Sequence, residues 1–205
     1  MTRIMIPYGT SEGHTARIVG CMADVIRSAG YEPVAVEIKR SGTPSPEGYD
    51  AAIVGASVHA GQHQAVVRDF VRKHHAALER LPSAFFSVSL SAAGSTSKAR
   101  EEAEGYVEHF VRQTGWRPGK VGIFAGALVY TKYGLLMRWV MKRITIAKGS
   151  PDTDTSRDYV YTDWEDVKGF TGEFLASSFP EACVLTVPDH DIAKAGTCRP
   201  GAQSK

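Results

Sequence analysis

Four stretches of this chain are almost unbroken in their apolar character: residues 4–8, 51–58, 83–90 and 121–128. A strand with apolar side chains on both faces has to be covered on both faces, which is the situation of a parallel sheet between two layers of helices. Between these runs the period changes. Ala16, Ile18, Val19, Met22, Ala23, Val25 and Ile26 recur at helical spacing until Gly30 stops them. Residues 64–78 and 98–113 show the same period, with Val66, Phe70, Val71 and Leu78, then Ala103, Tyr106, Val107 and Phe110, in phase. Residues 31–38 alternate as a strand, and residues 41–48, with two Pro and two Gly, form a loop. The predicted order is strand, helix, strand, long connection, strand, helix, strand, helix, strand. Thr162-Asp163-Trp164-Glu165 has the form of a capping box opening a last helix, whose apolar face is Val167, Phe170, Phe174 and Leu175.

The 205 residues are one domain's worth of chain, and 43% apolar with 22% charged residues excludes a wholly disordered one. No apolar run is long enough to span a bilayer, and the first residues lack a secretory core, so a cytoplasmic protein is expected. Cys21, Cys183 and Cys198 are too few and too scattered for a disulfide framework or a zinc site. Charge is unevenly spread. From His109 to Pro151 there are eight Lys and Arg and no Asp or Glu, while the rest of the chain is net acidic, which suggests an anionic partner.

Ligands of open α/β sheets bind at the carboxyl ends of the strands. The first such loop reads Tyr8-Gly9-Thr10-Ser11-Glu12-Gly13-His14-Thr15. It is neither a Walker loop nor a GxGxxG fingerprint. It offers three hydroxyls and a run of backbone N–H groups at a helix start, which together suit a phosphate. The loop closely resembles the phosphate loop of the flavodoxins. That resemblance implies FMN as cofactor and assigns Thr10, Ser11, Glu12, Gly13, His14 and Thr15 to its phosphate. It also implies an α/β fold of the doubly wound flavodoxin-like kind, five parallel strands in the order 2-1-3-4-5, over residues 1–179; residues 180–205, where Pro180, Pro188, Gly196, Pro200 and Gly201 deny any regular element, are expected to be a loosely held or disordered tail.

A wider resemblance runs through Gly55-Ala56-Ser57-Val58-His59-Ala60-Gly61, Leu81-Pro82-Ser83-Ala84-Phe85-Phe86-Ser87-Val88, Gly115-Trp116-Arg117-Pro118, Phe124-Ala125-Gly126-Ala127-Leu128-Val129-Tyr130 and Val160-Tyr161-Thr162-Asp163-Trp164. These segments are similar to the menaquinone-dependent protoporphyrinogen IX dehydrogenases of haem biosynthesis. The family implies two loops around the flavin ring, contributed here by Ser57, Val58, His59, Ala60 and Gly61, and by Ser89, Leu90, Ser91, Ala92 and Gly94. Carrier flavodoxins sandwich the ring between aromatics in these loops; here the only flat side chains are His59 and His63. Small residues leave a ring face open to substrate. His59 is the candidate catalytic group, as a proton relay. His59 and His63 lie four apart, but Gly61 between them and the lack of a third ligand argue against a metal.

Residues 129–150 interrupt the return from the fifth strand to the last helix. Lys132, Tyr133, Arg138, Trp139, Lys142 and Arg143 surround an apolar arc too wide for one core face and too short to cross a membrane. Such a helix lies at a membrane interface or packs in a groove or dimer seam. The resemblance implies an insertion that the activity needs, suited to a porphyrinogen with its propionates and to a membrane quinone. The expected reaction is oxidation of protoporphyrinogen IX in three two-electron rounds, with menaquinone or another quinone as acceptor. The other expected partner is the inner face of the cell membrane, touched peripherally; no nucleic acid is expected, and an oligomer stays open. The alternatives are a flavodoxin-type electron carrier, against which the pI of 8.4 argues, an NAD(P)H:quinone reductase, and a scaffold without flavin.

Overall fold

The computed structural model describes residues 1–128 and 158–180. Strand β1 (Arg3–Gly9) leads into helix α1 (His14–Ser28), and β2 (Glu32–Glu37) is followed by a helix-free connection to β3 (Ala51–His59). A tight turn brings back the short β4 (Gln62–His63), then come α2 (Ala65–Lys73), α3 (His75–Arg80) and β5 (Ser83–Ser89). Helix α4 (Ser97–Thr114), β6 (Lys120–Ala125), β7 (Ala127–Leu128), β8 (Tyr159–Val160) and α5 (Trp164–Ser178) complete the described chain.

The five long strands pair in parallel in the order β2-β1-β3-β5-β6. This is the order expected from the sequence once the hairpin strand β4, antiparallel to β3, is left out of the count. Alternation along each strand divides the core in two. Ile4, Ile6, Ile53 and Phe86 face α1 and α5. Met5, Val54 and Phe85 face α2 and α4, where Phe85 stacks on Phe110 with centroids 4.3 Å apart and Trp116 is fully buried. Each large apolar side chain so buried contributes about 1.5–3 kcal/mol. Gly55 interrupts the apolar run of β3 for a steric reason: a Cβ there would lie 2.1 Å from Cζ of Phe86.

Local patterns depart from expectation at four places. The helix expected over 64–78 breaks at His74 (φ −107°, ψ 16°), which caps α2 and starts α3. The break turns Ala77 and Leu78 into the core. The loop expected after the third strand is a hairpin, with Ala60 and Gly61 at φ 49° and 80°, the signs a type I′ turn requires. The strand expected over 121–128 divides at Gly126, whose N–H still reaches the Ser89 carbonyl (2.9 Å), after which Ala127 and Leu128 leave the sheet to pair with β8. The last helix is capped by Asp163, which accepts from the N–H groups of Glu165 (2.9 Å) and Asp166 (3.4 Å), one residue later than the expected Thr162.

The insertion expected over 129–150, with Lys132, Tyr133, Arg138, Trp139, Lys142 and Arg143, and the tail expected from 180 onward, Pro180 apart, lie outside the described residues. Of the eight cations between His109 and Pro151, Arg112, Arg117 and Lys120 are within them; Arg112 pairs with Glu108 at 3.6 Å and Lys120 with Glu173 at 2.7 Å, while the Arg117 backbone N–H donates to Glu79 at 3.1 Å.

Candidate functional site at the carboxyl edge of the sheet

Strand β1 ends at Gly9, and the chain turns through Thr10-Ser11-Glu12-Gly13 into α1. Thr10 Oγ1 accepts from the Gly13 N–H at 2.9 Å, closing the turn. Gly13 sits at φ 88°, a left-handed conformation that costs a glycine nothing, and caps α1 without any side-chain hydrogen bond. The first turn of α1 also contains no acidic residue. The helix therefore presents N–H groups and the positive end of its dipole with no side chain of its cap residue bonded to them and no acidic residue in its own first turn, beside the hydroxyls of Thr10 and Ser11. These are the terms on which a phosphate binds. An FMN phosphate fits the residues present.

His14 and Thr15, expected at the phosphate, are buried, 7% and 1% exposed. The His14 ring is turned toward the last helix. Its Nε2 lies 2.6 Å from Thr162 Oγ1, and the Thr162 hydroxyl donates to the Ala125 carbonyl at 2.6 Å. The single hydroxyl proton is thus committed, so Nε2 is the donor and His14 carries its proton there. Burial, then the charge of Arg17, lowers its pKa below the usual histidine value. Nδ1 is left as a buried acceptor without a partner. Arg17 in turn lies over the Trp164 ring, 5.7 Å from its centroid.

Gln64, the residue before α2, joins the two sides of the site. Its Nε2 donates to Ser57 Oγ in the first ring loop (2.7 Å) and to Ser11 Oγ in the phosphate loop (3.3 Å). Its Oε1 is buried and unpaired. The close seating depends on Gly9, where a Cβ would meet Val67 Cγ2 at 2.5 Å and Gln64 Oε1 at 2.9 Å.

In the first ring loop, Ser57 and Val58 are half-buried at the end of β3, and His59, Ala60 and Gly61 are exposed at the hairpin tip. His63, counted in the sequence as a second flat side chain at the ring, is not available there. It is 4% exposed, packed edge-on to Phe85 and Phe110, with Nε2 2.9 Å from Ser87 Oγ. Burial, then Arg68 and His109, pushes its pKa down to about 4, so it is neutral. In the second loop, Ser89 Oγ accepts from Ala92 N–H (3.2 Å), and Ser91 is turned inward to donate to Glu102 (2.8 Å). Leu90 and Ala92 are half-buried and Gly94 is exposed, its backbone held against Ala99, whose Cβ a side chain at residue 94 would approach to 2.4 Å.

Gln64, Thr162 and the inward role of His63 are not marked by sequence pattern. Gln64 reads as an ordinary helix start and Thr162 as a cap; their partners lie 53 and 148 residues away in sequence.

The profile of the flavodoxin domain family matches residues 5–155. The chain is 33% identical to a protoporphyrinogen IX dehydrogenase (quinone) of Escherichia coli (strain K12) over 171 residues, 83% of this chain and 93% of that one. It is 32% identical to the protein of the same name from Leishmania major, covering 91% of this chain and 83% of that one. Among solved structures, flavodoxin 1 of Bacillus cereus superposes with a TM-score of 0.51 at 16% identity, covering 85% of this chain and 97% of that one. A short-chain flavodoxin superposes at 0.53 and 16%, covering 87% and 99%. At such identities these two structures speak for the fold alone. With the uncapped α1 N-terminus and the β2-β1-β3-β5-β6 sheet beside the matched profile and the two curated relatives, the chain belongs to the flavodoxin domain family and, within it, to the family of the quinone-linked protoporphyrinogen IX dehydrogenases.

Proposed function

We propose that this protein is an FMN-dependent oxidoreductase that oxidises protoporphyrinogen IX to protoporphyrin IX with a quinone as acceptor. The observation that carries the proposal is the N-terminus of α1, free of any capping side chain and flanked by Thr10 and Ser11, in a chain whose relatives bear that enzyme's name. When bound, FMN supplies two-electron redox chemistry between porphyrinogen and quinone.

The protein's part is to hold, orient and screen. Residues Thr10 to Thr15 take the phosphate through hydroxyls and N–H groups. Gln64 sets the spacing between that loop and the Ser57–Gly61 loop. The loops at 57–61 and 89–94 contain no aromatic ring apart from His59, which leaves room for a broad substrate at the flavin. His59, exposed at the hairpin tip, is the group assigned to take up the proton released in each two-electron oxidation and pass it to water. Lys132, Tyr133, Arg138, Trp139, Lys142 and Arg143 are assigned to the substrate or to a membrane surface. No helix among the described residues is long and apolar enough to cross a membrane.

Anaerobic oxidation of protoporphyrinogen IX by the FMN-loaded protein with a menaquinone analogue tests the proposal. Porphyrin fluorescence should rise with stoichiometric quinone reduction. No turnover, together with a long-lived one-electron state in reductive titration, would establish the electron-carrier reading instead.

A further inference from the structure

Strands β2 and β3 are parallel and lie on either side of β1, so the connection between them has to cross it. Crossovers of this kind usually carry a helix. Here residues 38–50 make the crossing without one; Pro44 and Pro46 cannot continue a helix, and Gly42 and Gly48 turn the chain at φ 129° and 86°. Between this connection and α2 lies an open-sided cavity of about 320 Å³. That is within the size range of small-molecule pockets.

The lining has two chemical parts. Ile38 and Phe70 are buried and Val66 half-buried, giving an apolar wall. Lys39, Arg40 and Lys73 add three cations, none of which forms an ion pair among the described residues. The single carboxylate of the lining, Asp69, forms an exposed ion pair with Arg72 at 3.7 Å. Burial and then Lys73 lower the pKa of His74, with Glu47 opposing; Glu47 itself pairs with Arg80 at 3.5 Å. The cavity thus combines an apolar wall with unpaired positive charge.

Its position links it to the candidate site. The Ile38 N–H donates to the Tyr8 carbonyl (2.8 Å), which puts the cavity at the carboxyl edge beside the end of β1. Ala65 and Val66, which line it, directly follow Gln64, the residue bridging Ser11 and Ser57. One end of α2 therefore forms a wall of both.

We infer that this cavity binds the carboxylate-bearing edge of the substrate, an apolar ring system with two acidic side chains on adjacent subunits. The inference rests on the porphyrinogen reading of the neighbouring site and names how that substrate is recognised. A volume of this size admits one edge of a tetrapyrrole and leaves the remainder to extend past Gln64. Lys39, Arg40 and Lys73 supply the countercharge for the propionates, and Ile38, Val66 and Phe70 the contact for the ring edge.

The test uses the full chain loaded with FMN and two stable probes, protoporphyrin IX and its dimethyl ester, titrated by fluorescence quenching. The native protein should bind the diacid at least about tenfold more tightly than the ester. The triple variant Lys39→Ala, Arg40→Ala, Lys73→Ala should lose at least about tenfold in diacid affinity, bind both probes alike, and keep its FMN affinity. Asp69→Asn, which removes the opposing carboxylate, should bind the diacid a few-fold more tightly. Equal affinity of the native protein and the triple variant for the diacid would overturn the inference, as would a native protein that binds diacid and ester alike. A native protein that binds neither probe and oxidises no porphyrinogen would overturn the functional reading, and this inference with it.

Discussion

Replacing Thr162 by valine removes one oxygen atom from a position where it serves two partners and changes the side-chain volume little. The hydroxyl accepts from His14 Nε2–H and donates to the Ala125 carbonyl, both at 2.6 Å. His14 is 7% exposed and Thr162 8%, so water cannot readily replace the lost oxygen. A buried donor or acceptor left unsatisfied costs about 1–3 kcal/mol, and the substitution strands one of each, roughly 2–6 kcal/mol together. With a urea slope of about 2 kcal/mol per molar, typical for a chain of this size, the unfolding midpoint should fall by about 1–3 M. The experiment is urea unfolding of the flavin-free protein followed by circular dichroism at pH 8, where His14 is neutral. Thr162→Ser, which keeps the hydroxyl, should restore most of the loss. A midpoint shift for Thr162→Val below about 0.3 M at unchanged slope, or equal shifts for Val and Ser, would refute the reasoning. Because His14 is the first residue of α1, the Val variant should also bind FMN more weakly, read by flavin fluorescence quenching.

His63→Gln should flatten the acid side of the stability curve. The folded-state pKa of about 4 lies below the unfolded value of 6.5, so stability present above pH 6.5 is lost as pH falls toward 4, by about 3 kcal/mol in all; comparing unfolding of the two proteins at pH 7 and pH 4.5 isolates the term. Gly55→Ala should cost about 1–3 kcal/mol in thermal or urea unfolding through the clash with Phe86, while a protein that still folds keeps its FMN. Joint replacement of Thr10, Ser11 and Thr15 by alanine should raise the FMN dissociation constant at least about a hundredfold, since a hydrogen bond to a charged group is worth about 1.5–3 kcal/mol, and leave riboflavin binding nearly unchanged.

The parts of this molecule that were legible in the sequence are those written in consecutive residues. Buried strands betray themselves by unbroken apolar runs, and the loop from Thr10 to Thr15 keeps its meaning because hydroxyls, Gly13 and the helix start lie side by side. The hairpin after β3 was not legible because its turn uses Ala60 at φ 49°, where an alanine gives no signal of a left-handed conformation. His59 and His63 read in the sequence as the two flat side chains of one loop; β4 sends alternate side chains to opposite faces, and His63 turns inward to pack edge-on against the stacked Phe85 and Phe110. Thr162 and Asp163 are adjacent residues that can both cap a helix, Asp somewhat better than Thr. Which of them caps was decided by His14 and Ala125, residues remote in sequence. Gln64 bonds with Ser57, seven residues back, and with Ser11, 53 residues back, and no local period encodes that.

The pairing of β7 with β8 has a consequence for how this fold can change over evolutionary time. Leu128 and Tyr159 stand in register, so the two points where residues 129–158 are attached sit side by side, at one doorway. Closing a loop costs only about 0.6 kcal/mol for each doubling of its length. The sheet is therefore nearly indifferent to how many residues are hung between those two positions. Segments could be exchanged there between relatives, lengthened or pared to a short turn while the strands and the phosphate loop persist. New specificity can be acquired at this doorway without rebuilding the flavin-binding frame.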